Sequence, residues 1–223
     1  MTPYDRLYAE TASARNEFFS LPLVQQAKTR GYSREQYLDF LSQTYHHVKH
    51  ILPLLSLAAA RTTDERYQNA LLEHMKEERG HDKWLLDDIQ ALGGDPVRAA
   101  YGKPDEACAV MVGYAYYAVE HISPYALLGM LHVLEGLSAT LSQAIAGTMR
   151  RSLQAVGKAG FFYLTSHGSL DAEHAEHFKE FVNGIEDPET VGIIIDTARI
   201  FYRLYGAIFL DLDYRHAEIA QAA

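Results

Sequence analysis

Apolar positions recur at helical spacing along nearly the whole chain, and no stretch alternates as a half-buried strand would. A first helix is expected over residues 3 to 20, with Leu7, Phe18, Phe19 and Leu21 turned inward and Pro22 ending it. A short helix over 23 to 30 should stop at Gly31. Ser33-Arg34-Glu35-Gln36 reads as a capping box opening a long helix to about residue 61, kinked at Pro53. Thr62-Thr63-Asp64-Glu65 caps the next helix, which runs to Leu92 and closes at Gly93-Gly94. After a helical turn at Asp95-Pro96 and a loop at 101 to 104, helices follow over 105 to 122, 125 to 152, 158 to 183 and 188 to about 215. Seven or eight helices in one all-α bundle, a single domain over 1 to 223, is the architecture this pattern predicts.

Composition narrows the function classes. A formal charge of −9 without a Lys/Arg cluster argues against a nucleic-acid surface. Residues 108 to 119 form the longest apolar run, too short to span a bilayer, and residues 1 to 6 lack the apolar core of a signal peptide, so a cytoplasmic protein with no membrane partner is expected. Cys108 is the sole cysteine, which rules out an internal disulfide and fits a reducing compartment.

The pattern departs from plain amphipathic helix at His167-Gly168-Ser169-Leu170-Asp171-Ala172-Glu173-His174. On a helix His167, Asp171 and His174 share an arc of roughly 60° over a rise of about 10 Å. His74, Glu78 and His81 repeat the spacing. With 11 His and 29 acidic residues in 223 positions, chance predicts roughly 0.07 such patterns, so two invite a common cause. Solvated His and Glu on exposed helix faces are the ordinary alternative. Here, however, the His74, Glu78 and His81 face lies close to that of Leu71, Leu85 and Ile89, and buried carboxylates and imidazoles need partners. Glu135, in the apolar run from Leu131 to Leu137, is a third acid expected to point inward.

A set of about three imidazoles and three carboxylates is too large for one tetrahedral zinc and suits two metals about 3.5 to 4 Å apart. Acid-x2-His occurs in Glu78/His81 and in Asp171/His174, the spacing used by carboxylate-bridged di-iron bundles. The His167/Asp171/His174 pattern, the upstream Glu135 and the Glu-Glu-Arg-Gly-His-Asp segment around His81 together resemble the haem-oxygenase-like di-iron oxidases and oxygenases. That superfamily shares its helical fold with haem oxygenase, the thiaminase-like hydrolases and the pyrroloquinoline-quinone synthase.

The resemblance implies that His81, Glu135, His167, Asp171 and His174 bind two irons, one carboxylate bridging. For the remaining acid some members use a position seven before the equivalent of His81, here His74, and others the position three before it, here Glu78. Glu78 is carried over, and His74 is a further ligand or a neighbour of the site. Partial occupancy or manganese in place of iron is compatible with that donor set. The implied chemistry is oxidation of a small organic molecule by O2. His46 and His50, on the 33 to 61 helix, and Tyr117 and His121, on the apolar, tyrosine-rich segment 108 to 125, are candidates for the substrate pocket. A homodimer is expected, as for many helical enzymes of this size.

Three rivals stand beside this reading. A metal-free hydrolase of the same fold would need Cys108 as nucleophile, and no His neighbours it in sequence to activate the thiol. A metal-dependent phosphohydrolase could use the His81-Asp82 doublet but would leave 167 to 174 unused. A non-enzymatic iron-binding protein would use the same ligands without a substrate. A haem oxygenase is disfavoured because no His precedes His46.

Overall fold

A computed structural model describes residues 1–154 and 159–222, with the side chains of 167–174 and 219–222 outside that description. Twelve helices occur among the described residues, in the order α1 (Pro3–Glu10), α2 (Ala12–Ser20), α3 (Pro22–Thr29), α4 (Arg34–Val48), α5 (Ile51–Arg61), α6 (Glu65–Glu77), α7 (His81–Ala91), α8 (Pro96–Tyr101), α9 (Glu106–His121), α10 (Ala126–Ser152), α11 (Phe162–Asn183) and α12 (Pro188–Ala222). No strand is present among them. The all-α class predicted from periodicity is what forms.

The count exceeds seven or eight because three predicted helices are each broken once and the helical turn after Asp95 forms a short helix of its own, α8. The 3–20 segment breaks at Thr11, whose buried hydroxyl donates to the Leu7 carbonyl and diverts the chain. The 33–61 segment breaks at Lys49–His50, four residues before Pro53. A proline ring clashes with the carbonyl four residues back, so the disruption falls at Lys49 rather than at the proline itself. The 62–92 segment breaks at Glu78–Gly80, where Gly80 takes φ +95°, a left-handed conformation that costs a glycine little.

Caps fixed locally follow expectation. Ser33 and Gln36 form a reciprocal capping box, and the Asp64 carboxylate accepts from the Arg66 and Tyr67 amides. α10 is the central rod: it packs against α3, α9, α11 and α12, and its residues from Ala126 to Val133 are all buried. Its approach to α12 is so close at Gly129 that a Cβ there would collide with the Ile194 carbonyl and the Ala198 amide. No helix among the described residues is long and apolar enough to cross a membrane.

Candidate metal centre and adjoining cavities

The break at Gly80 builds the first half of the site. One uninterrupted helix would hold His74 and His81 in fixed register; instead Glu78 caps the end of α6 and His81 begins α7. Glu78 thereby lies between the two imidazoles. Its Oε2 is 3.2 Å from His81 Nδ1, and its Oε1 is 3.9 Å from His74 Nε2. Glu135 arrives from α10 and places Oε1 3.2 Å from His74 Nε2. Glu78 and His81 are buried, and His74 and Glu135 are nearly so. His74, Glu78 and His81 have further interactions beyond these.

Charge within this group is set by proximity. Burial alone would lower the His74 pKa, but the carboxylates of Glu135, Glu78 and Glu77 outweigh it and hold the value up at about 9. His74 is thus an imidazolium at neutral pH when no other cation is bound. The His81 ring is oriented by Trp84, stacked on it with centroids 4.1 Å apart, and Trp84 in turn meets the edge of Phe162.

Asp88, one buried carboxylate on α7 that sequence reading missed, fixes where α11 starts. It accepts the amides of Phe162 (2.9 Å) and Tyr163 (2.8 Å), capping α11 from another helix. Burial, only partly offset by those amides, raises its pKa. α7 and the first turn of α11 are therefore tied together, with His81 on one and the 167–174 stretch on the other. A charged residue at an inward position of α7, with no local partner in sequence, was the available signal.

Two cavities adjoin the cluster, and Glu135 and Leu131 line both. The first is mostly apolar, walled by Phe40, Val48, Leu131, Leu141 and Phe209, with Glu78, Glu135 and His47 on its surface. The second is more acidic, lined by Glu73, His74, Glu77, Glu135 and His177 beside Tyr67 and Phe181.

Against this geometry a family profile described as iron-containing redox enzyme matches residues 38–206. The chain belongs to that family. No curated protein matches it significantly in sequence. Among solved structures, this iron-containing redox enzyme family member is similar to a domain of unknown function with a haem oxygenase-like fold from Shewanella denitrificans, at 20% identity and TM-score 0.88, covering 99% of this chain and 96% of that one. It is also similar to a TenA homologue from Pseudomonas syringae (11% identity, TM-score 0.79, 94% and 92% covered). Haem oxygenase-1 from Synechocystis in complex with haem gives 14% identity and TM-score 0.77, with 100% and 97% covered. At such identities these likenesses show the haem oxygenase-like fold and nothing finer.

Of the ligands anticipated from sequence, Glu78, His81 and Glu135 come together with His74, while His167, Asp171 and His174 have side chains outside the described residues. Among the described residues no group of three or more His, Cys, Asp or Glu is arranged to hold a metal ion. The donor chemistry nevertheless fits iron: two carboxylates on the apolar wall, where unbalanced charge would be unfavourable, meet two largely desolvated imidazoles.

The four residues proposed for a substrate pocket lie elsewhere. His46 Nδ1 pairs with Lys49 Nζ at 3.1 Å, and His50 Nδ1 with the Tyr116 hydroxyl at 3.1 Å. Tyr117 is 54% exposed and rests on His121. None of the four lines either cavity described above. The neighbouring His47, one residue on from His46, does.

Proposed function

We propose that this chain is a non-haem di-iron oxidase or oxygenase that uses O2 to oxidise a small organic substrate. The observation that carries the reading is the meeting of Glu78 and Glu135, on the wall of an apolar cavity, with His74 and His81. Glu78, His81 and Glu135 would hold iron together with His167, Asp171 and His174, and His74 is a further ligand or a hydrogen-bonding neighbour. When bound, two ferrous ions supply electrons to O2 and oxidising power toward the substrate.

The rest is done by the protein. Glu78 and Glu135 place negative charge where cations are required, and the surrounding aliphatic side chains keep water away from it. Trp84 holds the His81 ring in one orientation, and Asp88 holds α7 against α11. In the cation-free protein His74 carries the balancing proton and gives it up as metal binds. The apolar cavity receives a substrate of mainly hydrocarbon character, and small-molecule substrate and O2 are its proposed partners, with the chain acting as a homodimer.

The metal-free alternative of the same fold has less support. The Cys108 thiol is buried, donates to the Gln43 carbonyl at 3.5 Å, and is pushed up to about 12 by that burial, far from a thiolate at neutral pH. Neither cavity is lined by it.

Iron stoichiometry and O2 uptake test the proposal. The protein loaded with Fe(II) should bind about two irons per chain and consume O2. His167→Ala and Asp171→Ala should each lose iron while keeping their helicity, and His46→Ala should keep it. Two irons retained in both of the first variants, or no O2 consumption with any iron bound, would overturn the assignment.

A further inference from the structure

His47 presents a problem of unmet hydrogen bonding that the metal centre does not solve. It lies near the end of α4 with its ring tilted over Tyr205, centroids 5.7 Å apart, and is 3% exposed. Neither Nδ1 nor Nε2 has a hydrogen-bond partner. Burial pushes its pKa down to about 3, with His50 and His46 adding to the effect, so the ring is uncharged at neutral pH. A neutral imidazole offers one N–H donor and one lone-pair acceptor. Leaving both idle inside a protein is unfavourable, and such groups are normally satisfied by protein, water or ligand.

The small hydroxyl side chains on the same cavity differ. Thr44 donates to the Phe40 carbonyl at 2.8 Å, and Ser138 and Ser142 bond each other at 2.9 Å. His47 is thus a polar group on this wall with both ring nitrogens open to whatever enters. Its surroundings select the visitor: aliphatic and aromatic walls favour a hydrocarbon body, and a ring held neutral lacks the charge that would favour a carboxylate.

Building on the reading of this cavity as the substrate chamber, we propose that His47 is the anchor for an uncharged group that both donates and accepts, a hydroxyl in the simplest case, on an otherwise apolar substrate. His47 is then a specificity-determining residue, removed from Glu78 and Glu135 in sequence but sharing their cavity. Rejection of an analogue lacking the hydroxyl follows because the imidazole would again be left unpaired.

The test measures binding of 1-hexanol, 1-methoxypentane and hexanoate to the iron-loaded, full-length protein without oxygen, by calorimetry. Wild-type protein should prefer 1-hexanol over the other two by about fivefold or more, the worth of one net hydrogen bond. His47→Leu should erase that preference while changing 1-methoxypentane binding less than about twofold, and His47→Gln, which can still donate and accept, should restore most of it. Should His47→Leu fail to fold, 15N imidazole shifts of the wild-type protein give the answer: 1-hexanol, which donates and accepts, should move both His47 nitrogen signals, and 1-methoxypentane, which only accepts, should leave the unprotonated nitrogen's signal in place.

Unchanged hexanol preference in His47→Leu, static His47 signals, or a preference for hexanoate would overturn the anchor. Absence of binding by all three probes would overturn both the anchor and the chamber. Normal discrimination in a protein that takes up no iron would uphold the anchor and remove only the redox reading.

Discussion

His74 and His47 are largely buried histidines that each line a cavity shared with Glu135, and their proton states are opposite. Glu135, Glu78 and Glu77 hold His74 up at about 9, whereas His47, among aromatic and aliphatic neighbours, is pushed down to about 3. His132 sides with His47: it is buried on Phe178 and Tyr202, its Nε2 lacks a partner, and burial lowers it to about 4. Burial alone therefore says little about what an imidazole does. Carboxylates within reach turn it into a cation-site residue, and their absence turns it into a neutral hydrogen-bonding or packing group.

The carboxylates are the strongest way to break this contrast. Glu78→Gln combined with Glu135→Gln should lower iron affinity by about 100-fold or more, because on the proposed reading each acid both ligates and balances charge. Equilibrium dialysis against Fe(II) checks it, and unaltered affinity would place the metal elsewhere.

Asp88→Ala comes next. It strips the Phe162 and Tyr163 amides of their acceptor and should destabilise the fold by about 2 kcal/mol, roughly 4–8 °C in Tm. A melting curve unchanged from wild type would show that α11 is held by other contacts.

Stability against pH sharpens the comparison further in metal-free protein. Native His74 keeps a proton that the unfolded chain releases near 6.5, so its contribution is complete below 6.5 and fades as pH rises through about 9. His47 and His132 behave in the reverse sense. The unfolded chain protonates them below 6.5 and the native protein does so only near 3 and 4, so stability declines as pH falls across that window. Each group contributes a slope of about 1.4 kcal/mol per pH unit within its window. Denaturant titrations should show the alkaline slope reduced in Glu135→Gln and the acid slope reduced in His132→Phe. Persistence of either slope in its variant would reassign the groups. The smallest effect belongs to Cys108→Ala, which should leave O2 consumption within about twofold of wild type, since an un-ionised buried thiol takes no part.

Much of the scaffold could be read from the chain because helices announce themselves locally. The capping box at Ser33, the Asp64 cap and the stop at Gly93 each involve residues within four positions of one another. The breaks were harder. Pro53 marked a disturbance but not its place at Lys49–His50, and Gly80 sat inside a pattern that otherwise ran on to Leu92. That Glu78 and Glu135 turn inward was legible because acids among apolar residues stand out. Shared-face geometry on one helix points to His46 and His50 as pocket residues, yet α4 ends at Val48 and the cavity is lined by His47.

The amino-acid sequence by itself determined an all-α chain, the helix caps, and a stock of imidazoles and carboxylates too rich for chance, because a 3.6-residue period and a capping side chain are decided within a few neighbouring residues. Only the tertiary structure decided that Glu78 separates His74 from His81 and that Glu135 joins them across from α10. It also decided that Asp88 caps a helix more than seventy positions away and that His47 faces the cavity. Those outcomes depend on which helix faces which, and burial against a distant partner leaves no periodic trace in the segment that is buried.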